Sequence, residues 1–131
     1  MRSQFLLMIA AMIGAKSVAI GAFAAHGLKS ILGAYQLAII DTGVQYQFWH
    51  TFAIIACAIL MLQARAQGQK YFFIAAICFI IGIFCFSGSL YTLALTDIRW
   101  IAFITPVGGT LFVVGWIVFA VAAWKMREVS K

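Results

Sequence analysis

Four apolar runs, each long enough to cross a bilayer, fill nearly all of this 131-residue chain. They cover approximately residues 4–25, 46–62, 71–95 and 100–124. A spanning helix needs about 20 mostly apolar residues to cross a hydrocarbon core of about 30 Å. Only 9% of the residues are charged, against about one-quarter in soluble domains, so a soluble fold is close to excluded. Helices are favoured because a lone helix satisfies all its backbone hydrogen bonds in lipid. The alternation of a membrane barrel is missing. The sequence predicts an all-α, integral membrane four-helix bundle, one domain over residues 1–131, with the lipid bilayer as its solvent.

The formal charge of +6 does not point to nucleic acid, because the basic residues are scattered and sit at span ends. Arg2, Arg65, Lys70, Lys125, Arg127 and Lys131 fall on one side of a four-span path, and Lys29 and Arg99 on the other. Positive-inside bias then places both termini in the cytoplasm. Trp49, Trp100, Trp116 and Trp124 lie mostly near span ends, as an interfacial aromatic belt would. Cys57, Cys78 and Cys85 lie within spans, form no C-x-x-C pair and read as small packing residues that stay reduced. Arg2, the first apolar stretch and Ala22-Phe23-Ala24 mimic a cleavable secretory signal. That stretch is a full span long and Lys16 interrupts it, so a retained first span is expected.

Residues 26–45 form the one long connection. Leu28, Ile31, Leu32, Tyr35 and Ile39 recur there at helical spacing, which predicts an amphipathic helix lying in the interface after the first span. The connections 63–70 and 96–99 are short, so consecutive spans should pack antiparallel. Gly68, and Thr96 with Asp97, supply turn chemistry.

Each span carries small or weakly polar residues at alternating three- and four-residue steps. These are Ala10, Gly14, Ser17, Gly21 and Ala24 in the first span, and Tyr46, His50, Ala53 and Cys57 in the second. The third has Ala75, Cys78, Gly82, Cys85, Ser89 and Thr92; the fourth has Thr105, Gly108, Gly115 and Ala122. Helices in lipid associate through close backbone approach and modest hydrogen bonds, so these stripes predict a tight left-handed bundle. Gly88 and Gly109 are counted with the packing glycines. Pro106 removes a backbone bond early in span four and exposes the carbonyl of Ala102.

With the termini inside, His26, Asp41, Tyr46, His50, Ser87, Ser89, Tyr91 and Thr105 all gather at the outer end of the bundle. Two readings follow. These residues are ligands or proton carriers of a small outward-facing pocket, or they form a hydrogen-bonded clasp that fixes the bundle. The clasp is favoured, since polar residues between membrane helices often serve as glue. His26, Asp41 and His50 have metal-ligand chemistry but no known ligand spacing, so neither a metal nor a cofactor is expected. Ser87-Gly88-Ser89 is not a nucleophile elbow, and no activated serine is expected.

Lys16 lies near the bilayer midplane, where a charge costs about 2.5–3.5 kcal/mol on insertion scales. It shares a bulky face with Phe5, Ile9, Met12, Ile20 and Phe23. Three readings stay open: it is neutral, it meets a partner subunit, or the first span packs on two faces.

Taken together, Gly21-Ala22-Phe23-Ala24-Ala25-His26-Gly27, Thr42-Gly43 with Gln45-Tyr46 and His50, Phe86-Ser87-Gly88-Ser89-Leu90-Tyr91, and Thr105-Pro106-Val107-Gly108-Gly109 followed by Gly115-Trp116 carry a resemblance. The chain resembles the YgdD/YwdK-type family of small bacterial four-span membrane proteins over nearly its whole length. The resemblance implies a bacterial cytoplasmic (inner) membrane location, a retained first span, and no established activity or cofactor. Ala24 stands where that family pattern often has glycine, and Lys16 where it usually has an apolar or small residue.

The expected function is a non-enzymatic structural or accessory subunit that acts through helix contacts, with a homo-oligomer or another membrane protein as partner. The alternative is a small-solute or proton permease that works as an oligomer, with the outer polar cluster as its mouth. An enzyme trails both, for want of a nucleophile–base pair.

Overall fold

The computed structural model describes residues 1–128, so Lys131 of the basic set lies outside the described residues. Four long helices make up the fold: α1 (Arg2–His26), α2 (Ala34–Gln63), α3 (Ala66–Thr96) and α4 (Thr105–Glu128). A short 3₁₀ helix, Arg99–Phe103, precedes α4. All four runs are helices long and apolar enough to cross a membrane. They form a bundle in which α1 packs chiefly on α2, α2 on α3, and α3 on α4.

Three boundaries differ from the sequence reading. The segment after the first span is helical from Ala34, but it is not a separate interfacial helix. It is the first part of α2, which runs unbroken for 30 residues, about 45 Å at 1.5 Å per residue. The turn is confined to residues 27–33, and the Gly27 and Leu28 amides close it by donating to the Phe23 carbonyl at 2.8 and 3.0 Å. Leu28 then buries its side chain with Ile40 and Ala94, and that anchorage leaves no slack for a helix lying flat.

At the second connection only Ala64 and Arg65 separate the helices. Gly68 therefore sits inside α3 rather than in the turn, where a Cβ would lie 3.0 Å from that of Ala64. At the third, Asp97 caps α3 in the left-handed conformation at φ 56°, which aspartate tolerates better than most residues. The 3₁₀ turn follows, so span four begins at Thr105 and not at Trp100. Pro106 accordingly lies in the first turn of α4, where no intrahelical N–H is needed, and marks a helix start rather than a break.

The tightest seam joins α3 to α4, and it alternates phenylalanine with glycine on both helices. Phe79, Gly82 and Phe86 of α3 face Gly115, Phe112 and Gly108 of α4 in one antiparallel register. A Cβ on Gly82 would come within 2.6 Å of the Phe112 ring, and one on Gly115 within 2.7 Å of the Phe79 ring. A Cβ on Gly108 would lie 2.8 Å from the Phe86 Cα, against backbone that cannot swing aside. Gly82 and Gly115 are thus sockets for rings on the other helix, and Gly108 is where the two backbones come closest.

The glycines do not all work this way. A Cβ on Gly14 or Gly21 would make only an ordinary 3.5 Å contact with Thr51 or Val44, and one on Gly109 would stand 3.8 Å from Phe86. Gly88 is no packing glycine, since a Cβ there would meet nothing within 4 Å. Gly43 on α2, by contrast, is a socket: a Cβ would sit 2.7 Å from the Tyr91 ring.

Gly108→Ala should therefore destabilise the protein by about 1–3 kcal/mol through overpacking, while Gly88→Ala should leave stability unchanged or slightly raised. Unfolding in mixed micelles measures both. Equal effects at the two positions would contradict the seam.

Candidate functional site

The eight polar residues expected at one end divide into three bonded groups and two exposed residues. The first group centres on Gln47, which is 3% exposed. Its Nε2 donates to the Ile13 carbonyl of α1 at 3.0 Å, and its Oε1 accepts from the Tyr91 hydroxyl of α3 at 2.7 Å. One side-chain amide thus joins three helices. Ser17 also donates to the Ile13 carbonyl, at 3.0 Å, and Thr51 to the Gln47 carbonyl at 2.6 Å. Beside this bridge, Ser87 donates to the Gly43 carbonyl at 2.7 Å and ties α3 to α2 again.

The second group is a pair. Ser89 and Thr105 share a hydrogen bond of 2.6 Å between their hydroxyls, linking the end of α3 to the start of α4. Ser89 also donates to the Phe86 carbonyl at 2.8 Å.

The third group surrounds His50, which stacks on Phe112 with ring centroids 3.6 Å apart. Phe79 and Trp116 close on it at 5.5 and 5.9 Å, and the Tyr46 ring lies nearly parallel to it at 6.1 Å. The Trp116 indole nitrogen lies 3.2 Å from His50 Nε2. Indole can only donate, so Nε2 accepts and the ring proton sits on Nδ1. That proton goes to the Tyr46 carbonyl at 2.7 Å. Both imidazole nitrogens are thereby engaged. An open cleft of about 590 Å³, lined by Trp49, Val113 and the aromatic rings around His50, runs past this group between α2 and α4.

His26 and Asp41 stand apart from all three. His26 is exposed at the last residue of α1. Asp41 is exposed on α2 and accepts a 2.9 Å bond from the Gln45 amide. The structure does not bring His26, Asp41 and His50 together. Among the described residues, no group of three histidine, cysteine or acidic side chains is placed to hold a metal ion. The three cysteines are free.

Gln47 was not singled out in the sequence, though it lies one helical turn beyond Gly43 on the buried line of α2. A polar residue within a span, four positions from a glycine, was the available signal. Lys16 is exposed on α1, beside a notch of about 90 Å³ whose lining includes Gln47, Gly88 and Tyr91.

The tautomer assignment is directly testable. In protein with ¹⁵N-labelled histidine, His50 should show a protonated Nδ1 and an acceptor-type Nε2. Trp116→Phe should shift the Nε2 resonance and leave Nδ1 nearly unmoved. A protonated Nε2 in the wild-type chain would contradict the arrangement.

Comparison with known proteins places the chain among membrane proteins. A family described as "Protein of unknown function (DUF423)" matches residues 20–109. A UPF0382 membrane protein of Haemophilus influenzae is 44% identical over 128 residues, covering 98% of this chain and 99% of its own. The UPF0382 inner membrane protein YgdD of Escherichia coli K12 is 42% identical over 128 residues, covering 98% and 95%. A UPF0382 membrane protein of Staphylococcus saprophyticus is 37% identical over 124 residues, covering 92% and 97%. No solved structure matches. The resemblance read from the four motifs therefore holds along nearly the whole chain, and the protein belongs to the DUF423 family, whose relatives include YgdD.

Proposed function

We propose that this protein is a non-enzymatic structural or accessory subunit of the bacterial inner membrane, with both termini in the cytoplasm, and that it acts through helix contacts. One observation carries the reading. Among the described residues, no buried side-chain nitrogen or oxygen lacks a hydrogen-bond partner. Gln47, Tyr91, Ser87, Ser89 and Thr105 spend their polar atoms joining one helix to another. A proton carrier or solute ligand needs polar groups that can exchange partners, whereas these groups are used as fasteners.

Location and orientation rest on separate support. Relatives over nearly full length are named inner membrane proteins. Arg2, Arg65 and Lys125 lie at the end of the bundle where α1 begins and α4 ends, and Lys29 and Arg99 lie at the opposite end, which is the asymmetry that orients bacterial membrane proteins.

The permease alternative makes the opposite prediction for the same residues. Vesicles carrying the wild-type protein should show no more proton or small-solute flux than empty vesicles, followed with an entrapped pH dye and by osmotic swelling. Gently extracted protein should have a mass above that of one 14.4 kDa chain. A flux abolished by His50→Ala in a folded protein would overturn the proposal. So would a strictly monomeric mass.

A further inference from the structure

Among the described residues, Lys16 is the one lysine or arginine far from both ends of its span, and its place in the structure points to a partner. By helix rise it stands about 21 Å along α1 from Arg2 and about 15 Å from His26, close to the middle of the span. Its side chain is exposed and forms no ion pair among the described residues. A four-carbon stem cannot carry the ammonium group across that distance to either interface. Lys16 therefore stands at mid-depth with no acidic partner among the described residues.

The surroundings form a shallow groove between α1 and α3. Gln47 and Tyr91, already bonded to each other, make its polar floor, while Ile20, Ile83 and Phe84 wall it. The groove exists because α1 leans on α2 and leaves α3 uncovered on this side. Gly88 lies in the groove with open space above it, where an added Cβ would meet no atom within 4 Å. A small residue in such a position lets another helix backbone approach closely.

We propose that this groove docks a transmembrane helix of another membrane protein that carries an aspartate or glutamate carboxylate at mid-span. The inference rests on the accessory-subunit reading and names the chemistry of its partner. A second copy of this chain does not supply the charge. Its three acidic residues are Asp41, Asp97 and Glu128. Asp41 lies beside Gly21, Ala24 and Ala25, about two turns beyond Lys16 along α1. Asp97 caps α3 at the far end, and Glu128 ends α4. Anionic lipid headgroups lie at the interface, outside the reach of Lys16. A carboxylate on a membrane helix is the anion that arrives at the right depth.

The test uses the full chain in phosphatidylcholine vesicles with synthetic Leu/Ala-rich peptides of about 20 residues bearing one central Asp or one central Asn. Energy transfer between dyes on peptide and protein reports association. The Asp peptide should bind the wild-type protein about tenfold more tightly than the Asn peptide, a difference of about 1.4 kcal/mol. Lys16→Met should erase that preference, Lys16→Glu should transfer it to a peptide with a central Lys, and Gly88→Leu should weaken binding with the charge intact. Circular dichroism confirms that each variant is folded. Equal binding of the Asp and Asn peptides would overturn the proposal. Loss of the preference on adding phosphatidylglycerol would overturn it too, by making lipid the occupant. Either failure leaves the accessory role standing if the extracted protein still exceeds one chain in mass, and a monomer without flux would end both.

Discussion

The interlock of phenylalanine and glycine between α3 and α4 is the contact on which the rest of the bundle depends. Lipid tails are as apolar as any side chain, so burying a ring between membrane helices gains little from leaving water. Stability comes instead from the density of contacts, which falls steeply with even a small gap. Phe79 and Phe112 enter the sockets left by Gly115 and Gly82, while Gly108 lets the backbone at Phe86 approach closely, and phenylalanine and glycine alternate on both helices. That arrangement fixes axial register as well as distance. Sliding one helix by a turn would set ring against ring.

The polar bonds build on this frame. Once α4 is drawn against α3, Phe112 and Trp116 reach across to α2 and complete the aromatic enclosure of His50. Bonds of this kind between membrane helices average only about 0.6 kcal/mol, so they orient the helices more than they hold them. Gln47 is the clearest case. It joins α1 to the α2–α3 pair through a carbonyl of α1 and a hydroxyl of α3. Because α1 packs chiefly on α2, it is the helix with most freedom to take another partner on its open side, and Lys16 is on that side.

Much of this was legible in the residues. Four helices follow from length and polarity, and the small-residue line of α4 through Gly108, Gly115 and Ala122 is buried as its spacing implies. Two things were not. The glycine stripe identifies the sockets but not the rings, because a phenylalanine in a span looks the same whether it faces lipid or a neighbour. Phe84 is 62% exposed, whereas Phe79 is fully buried. The second difficulty lies in α2, which sits between two helices and so has two seams. His50, Ala53 and Cys57 form one, and Gln47, Thr51 and Ile54 the other. A search for a single small-residue line finds the first and passes over the polar bridge on the second. The eight polar residues share one end of the sequence map, yet rotation about the helix axes separates them into distinct pairs, and topology alone does not fix rotation.

The protein is a set of helices fastened by shape, with polar groups consumed in the fastening and Lys16 left facing outward. The ring-and-socket match sets the α3–α4 interface. The most direct measurement is the unfolding stability of an exchanged pair, Phe79→Gly with Gly115→Phe, against each single substitution in the same micelles. Both singles should lose stability and the exchange should recover a substantial part of the loss, because ring and socket are again opposed. Losses that simply add in the double variant would contradict it.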